Sequence, residues 1–144
     1  MGRSVQVAEP GYPVSIKGVL VRADRVLLVH NERDEWELPG GRIEPGEKPE
    51  DCVAREITEE SGLPIETAEI IDAWVYHIEV ARKDVFIVTY GCTSTSDAAP
   101  VLSHEHSRIG EFREDEVAGL RMPEGYKRSI ASWFERLRAL HATR

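Results

Sequence analysis

Apolar residues in this chain recur with two different periods, and the switches between them mark out its elements. Ser15–Val21 and Arg25–His30 are rich in β-branched residues and leucine, and the Ala23-Asp24 step between them predicts a strand pair with a tight connection. A charged loop, Glu32-Arg33-Asp34-Glu35, leads to a short strand at Trp36–Leu38 that ends on Pro39. Pro39-Gly40-Gly41 reads as a turn, because glycine adopts backbone angles that other residues resist. Pro49 suits a first helical position, and Gly62 with Pro64 just beyond suits a helix end, so a helix is predicted from Pro49 to Gly62. Within it Val53 and Ile57, spaced i, i+4, turn inward, whereas Glu50, Asp51 and Thr58 face solvent. Lys48 is a poor N-cap, a defect that Glu50 and Asp51 offset at the positive end of the helix.

Further along, Glu69–Ala81 and Asp84–Cys92 read as strands around an Arg82-Lys83 turn, followed by a polar loop at Thr93–Pro100. Ser107–Phe112 is a further short strand, and Glu114–Leu120 one or two helical turns. The helical period returns clearly at the end, where Tyr126, Ile130, Trp133, Phe134, Leu137 and Leu140 form one stripe. Such a stripe is a core face rather than a cofactor site. Strands and helices interleave without repeats or an obvious linker, which predicts a mixed sheet covered by helices. The expectation is a single domain over residues 1–144, with a loose polar lead-in at 1–13.

Composition narrows the partners. The chain has 144 residues, 41% hydrophobic and 31% charged, which is ordinary for a soluble globular domain with a proper core. Its net charge of −8, without any Lys/Arg run, argues against duplex nucleic acid. No apolar run approaches membrane length, and the polar N-terminus lacks a signal-peptide core, so a cytoplasmic location is expected. Gly2 invites a myristoylation check, but Gln6 stands where Ser or Thr is required. Cys52 and Cys92 show no metal-binding spacing and read as buried free thiols.

The candidate chemistry sits on the first helix. Glu56, Glu59 and Glu60 are spaced i, i+3 and i+4 and so share one arc, with Arg55 beside them. Like charges so placed repel by a few tenths of a kcal/mol per pair. No lysine shares that arc, which calls for another source of positive charge. Oxygen-only ligands point to a hard divalent cation, Mg²⁺ or Mn²⁺, rather than zinc.

From Gly41 through Glu47 to Arg55-Glu56-Ile57-Thr58-Glu59-Glu60-Ser61-Gly62-Leu63, the segment resembles the Nudix box at every defined position. The preceding Trp36-Glu37-Leu38-Pro39-Gly40 is similar to the family's lead-in, and the resemblance covers about residues 14–120. It implies an α/β/α sandwich, the Nudix fold, and a hydrolase (MutT-like) of nucleoside diphosphates linked to another group. Carried over position by position, Glu56 and Glu60 are the implied main metal ligands, Glu59 a direct or water-mediated one, and the Gly40 carbonyl a further one. Arg55 and Glu47 correspond to a structural salt bridge that positions loop and carboxylates, with Gly62 closing the box. An acidic residue from a later loop is often added in the family. Ser103-His104-Glu105-His106-Ser107 resembles that loop, with Glu105 the implied extra ligand or base. His104 and His106 are alternatives for contacting phosphate or moving a proton. Arg55, Glu59 and Glu105 are thus the candidate catalytic residues.

Gly41 lets backbone amides approach phosphate closely, since no Cβ obstructs them. Trp74, Tyr76 and His77 are candidate contacts for a base or sugar, although alternation sets Trp74 and Tyr76 on one strand face and His77 on the other. Relatives acting on ADP-sugars or dinucleoside polyphosphates tend to carry a marker Pro or Tyr about one strand beyond the box. Tyr76–Ala81 reproduces neither. The expectation is a Mg²⁺-dependent pyrophosphohydrolase, with a (d)NTP-type substrate somewhat preferred and a homodimer common among similar proteins. The rival readings are a nucleotide-sensing module without catalysis, or a hydrolase of ADP-ribose, a sugar nucleotide, a dinucleoside polyphosphate or a non-nucleotide diphosphate. Sensing modules usually lose a box glutamate, and none is lost here.

Overall fold

Strand β1 (Val14–Arg22) organises the fold because three other strands pair with it. The structure, a computed structural model, describes residues 11–142; most of the lead-in expected at 1–13 therefore lies outside the described residues. β2 (Arg25–His30) returns antiparallel to β1 across a two-residue connection, Ala23-Asp24. Both turn residues have positive φ, 50° and 60°, the backbone twist that a two-residue hairpin demands. β3 (Trp36–Glu37) adds to β2, and β4 (Gly40–Arg42) pairs antiparallel with β1, Lys17 opposite Gly40. Helix α1 (Pro49–Ser61) follows, then β5 (Glu66–Ile78), β6 (Lys83–Thr93), β7 (Arg108–Arg113), α2 (Glu114–Val117) and α3 (Glu124–Ala142). β6 lies parallel to β1 and antiparallel to β5, so the seven-stranded sheet runs β3-β2-β1-β6-β5, with β7 beside β2.

Alternation along β1 assigns its side chains to two cores. Ile16 and Leu20 join Cys52, Val53, Ile57, Leu63 and Tyr90 beneath α1, while Val19 joins Ile87, Tyr126, Ile130, Trp133 and Phe134 beneath α3. Helices on both faces of a mixed sheet make the α/β/α sandwich that the box implied.

Three elements depart from the expected boundaries. The Gly40-Gly41 step continues into a strand, because β1 offers an open edge there. β5 begins and ends three residues earlier than expected, and the turn moves to residues 79–82, where Arg82 takes φ 48°. Leu140 is 55% exposed, so the stripe of α3 leaves the core before its last turn. β5 is an edge strand with two register shifts; the Arg136 guanidinium donates to the carbonyls of Ile70 and Ile71 in that irregular stretch. Cys52 and Cys92 are buried and free. Among the described residues no helix is long and apolar enough to cross a membrane.

Candidate active site

The first helix forms as its sequence dictates, and its ends set the carboxylates in place. Lys48 makes no side-chain cap, Pro49 opens the helix, and Gly62 closes it at φ 75° with its N–H donating to the Thr58 carbonyl. Val53 and Ile57 are fully buried on β1, which leaves Glu56 and Glu60 on the arc facing β4. Gly41 is required for this approach. A Cβ there would lie 2.5 Å from the Glu56 carboxyl carbon, so the glycine makes room for a protein carboxylate. Gly40 is equally constrained, since it takes φ 145° and a Cβ there would meet the Ile16 carbonyl at 2.1 Å.

Arg55 ties the loop to the helix. Its Nε and Nη2 donate to the two oxygens of Glu47 at 2.7 and 3.1 Å, a bidentate fork. The Arg55 hydrogen bonds, with the Glu44 N–H, hold the Glu47 carboxyl down to about 2. The same guanidinium donates from Nη1 to Glu56 at 3.0 Å and reaches Glu59 at 3.4 Å. No lysine shares the acidic arc, and the positive charge beside it comes in part from Arg55 itself. Arg55 balances two of the three glutamates, and the buried ammonium of Lys17 on β1 acts on Glu60 and Glu56 from below.

Glu60 is the carboxylate left least satisfied. It is 3% exposed, and among the described residues the one hydrogen bond it receives comes from the Gly40 N–H at 3.2 Å. Burial pushes its carboxyl up to about 7, against the pull of Lys17 and His106. Glu56 is likewise raised, by burial first, with Arg55 opposing. The loop after β6 brings Glu105 and His106 to the same point: ligand atoms of Glu60, Glu105 and His106 all lie within 4.8 Å of one another. This set joins the buried Glu60 and the exposed Glu105 carboxylates, donors that suit Mg²⁺ or Mn²⁺, with the half-buried His106 imidazole. His104 is exposed beside them.

Two further residues belong to the arrangement and were missed from sequence. Glu37 accepts from Asn31 Nδ2 at 3.0 Å and lies 3.4 Å from His106 Nε2. Burial alone would raise its carboxyl, yet Lys17, His106 and Asn31 bring it down to about 2. For Lys17 burial works downward, and Tyr126, Glu37, Glu60 and Glu56 more than reverse it. A signal for Lys17 was present, since alternation puts it on the inward face that carries Val19. Glu37 has none, because its partners arrive from β1 and a distant loop.

The model of the NUDIX domain matches residues 11–135. The chain belongs to the Nudix family. A MutT-like protein of Streptomyces ambofaciens is 34% identical over 119 residues, covering 81% of this chain and 73% of its own. A protein named putative 8-oxo-dGTP diphosphatase 3, of Mycobacterium tuberculosis, is 36% identical, covering 88% of this chain and 62% of its own. One named putative ADP-ribose pyrophosphatase YjhB, of Bacillus subtilis, is 40% identical, covering 90% and 65%. The chain thus spans somewhat under two thirds of the length of the latter two relatives. The crystal structure of a NUDIX-family hydrolase from Clostridium perfringens superposes with a TM-score of 0.76, over 89% of this chain and 99% of that one, at 18% identity. A MutT NUDIX hydrolase from Burkholderia pseudomallei gives 0.74, over 85% and 98%, at 23% identity. Those likenesses, at under 25% identity, carry the fold alone.

Beside the Nudix carboxylates, on the α3 side of the sheet, lies a cavity of about 210 Å³ lined by Lys17, Asn31, Arg33, Glu37, Tyr76 and Tyr126, among others. Of the residues expected to meet a base, Tyr76 lines it and donates its hydroxyl to Glu35 at 3.2 Å. His77 lies on the opposite strand face, paired with Asp84 and Glu79, and reaches only a neighbouring depression of about 510 Å³ at the end of β5, which Tyr76 also lines. Trp74 lines neither depression. Its ring packs on the backbone of Gly125 and edge-on against Tyr126, which is a core role.

Proposed function

We propose that this Nudix chain hydrolyses the phosphoanhydride linkage of a nucleoside diphosphate derivative, using Mg²⁺ or Mn²⁺. The observation that carries the reading is Glu60, a buried carboxylate with a single hydrogen bond, gathered with Glu105 and His106 within 4.8 Å. Glu56, Glu59, Glu60 and the Gly40 carbonyl would hold the cation, which neutralises phosphate charge and acidifies water enough for attack near neutral pH. Arg55 and Glu47 orient the helix carboxylates. Glu105 is the better candidate for taking the proton of the attacking water, since Glu59 is engaged by Arg55 while no cation pairs with Glu105 among the described residues.

The 210 Å³ cavity would take the nucleoside side of the substrate, with Tyr76 and Tyr126 as its aromatic walls and Lys17 and Arg33 as its cationic ones. A (d)NTP-type substrate is preferred, and the names of the relatives make ADP-ribose the main competitor. The setting is a cytoplasmic enzyme acting on small nucleotides, with sedimentation velocity the check on a homodimer. A panel of (d)NTPs, ADP-ribose, sugar nucleotides and dinucleoside polyphosphates tests the reaction. Release of phosphate, pyrophosphate or nucleoside monophosphate with Mg²⁺ is expected, and its loss in Glu60→Gln with the melting curve intact. Tight nucleotide binding without release would instead mean a sensing module.

A further inference from the structure

We infer that His106 is a nitrogen ligand to the divalent cation, presented to it by Glu37, so that the site takes a mixed nitrogen–oxygen set rather than carboxylates alone. The inference deepens the metal-dependent reading above and rests on it. Three observations converge on the imidazole. One of its nitrogens lies within 4.8 Å of the carboxylate oxygens of both Glu60 and Glu105. Its side chain is 10% exposed, so the ring is nine-tenths buried in the wall of the site. Its two nitrogens are used unequally: Nε2 faces Glu37 Oε1 at 3.4 Å, whereas Nδ1 is buried with no hydrogen-bond partner among the described residues.

A buried ring nitrogen without a partner is costly unless something else occupies it. Among the described residues no hydrogen bond joins His106 to Glu60 or Glu105, and three ligand atoms within 4.8 Å of one another can close on one cation, at bonds of about 2.1 Å, by small side-chain adjustments. Glu37 supplies the remaining requirement. When Nε2–H donates to a carboxylate, the neutral ring keeps its lone pair on Nδ1 and its orientation is fixed. Glu37 can do this because Asn31 holds its other oxygen at 3.0 Å, with Arg33 at 3.6 Å, so the acceptor does not swing away. Lys17 is the opposing charge, since its ammonium faces Glu37 and Glu60 from β1. It offsets part of the carboxylates' negative charge. An imidazole ligand also moves preference away from Mg²⁺, which suits oxygen donors, toward Mn²⁺ and later ions.

Mn²⁺ added to the full chain, without nucleotide, tests this directly. Electron spin-echo envelope modulation should show a ¹⁴N coupling from a ligated imidazole, replaced by the ¹⁵N pattern when the protein carries ¹⁵N-histidine. That comparison uses the unaltered protein, so it stands even if a variant folds poorly. The ¹⁴N coupling should vanish in His106→Gln and persist in His104→Gln. His106→Gln should bind Mn²⁺ about 10- to 100-fold more weakly, with a smaller loss for Mg²⁺. An oxygen-only spectrum of the bound ion, or a nitrogen coupling that survives His106→Gln, would overturn the assignment of His106 while leaving the carboxylate-held cation standing. Absence of any Mn²⁺ binding would overturn both.

Discussion

Glu60 and Glu37 both face the Lys17 ammonium, yet burial governs the first carboxyl and charge pairing the second. Their effects on stability therefore have opposite signs. In the metal-free protein Glu60 keeps its proton up to about 7, whereas an unfolded chain releases it near 4.5. Between those values the folded state binds more protons, so stability falls as pH rises through that window, by at most on the order of 3 kcal/mol. Glu37 ionises at about 2 in the fold, so its contribution is present above 4.5 and is lost as pH falls toward 2. Urea unfolding in EDTA should show Glu60→Gln removing the decline between pH 5 and 7, and Glu37→Gln weakening the protein at pH 7. A Glu60→Gln variant that keeps the full decline would mean burial does not control that carboxyl. At this scale the box glutamates were legible because i, i+3, i+4 spacing is a local property of a helix. Lys17 left only an alternation hint, and Glu37 none, since what makes each a site residue is a neighbour distant in the chain.

Among the elements, α1 and β1 matter most to the site, and Gly18 is where they meet. A Cβ at Gly18 would lie 2.5 Å from Ile57 Cδ1 and 2.8 Å from Val53 Cγ2, so the helix rests on bare backbone there. Gly18→Val should cost about 1–3 kcal/mol by overpacking. It should also weaken Mn²⁺ binding, because lifting α1 carries Glu56 and Glu60 away from β4. Urea unfolding and calorimetric Mn²⁺ titration check the two halves separately; an unchanged Mn²⁺ affinity would show that the helix is not positioned at Gly18. The extent of α1 was readable from Pro49 and Gly62, because both act through local backbone angles. β4 was not readable: three residues with two glycines carry no strand signal, and their extended form depends on the open edge of β1. The shifted bounds of β5 have the same origin, since its pairing with β6 and the Arg136 contacts decide where the ladder runs.

For the molecule as a whole, the two cores divide the labour. The α1 core positions the carboxylates, while the α3 core builds a wall of the 210 Å³ cavity and much of the stability. Trp133, 1% exposed, packs so closely on Gly91 that a Cβ there would sit 2.5 Å from the ring. Trp133→Ala should cost about 3–5 kcal/mol, a large share of the 5–15 kcal/mol typical of a domain. The Mn²⁺ affinity of the molecules that remain folded should stay near that of the unaltered protein, since Trp133 lies in the α3 core. Thermal unfolding with and without Mn²⁺ measures both, and a site lost together with the core would show that the two layers are not separable.

The linear sequence by itself determined the alternation of strands and helices and the acidic arc on α1, because both follow from near-neighbour spacing, and the resemblance of Gly41–Leu63 to the Nudix box pointed to the family and to the Arg55–Glu47 brace. Only the tertiary structure decided that Lys17 and Glu37 flank the carboxylates, that Glu60 is left with one hydrogen bond, that Trp74 belongs to the core, and that His106 meets Glu60. Each of these is a contact between segments far apart in the chain, and burial and electrostatics there depend on which surfaces the sheet brings face to face.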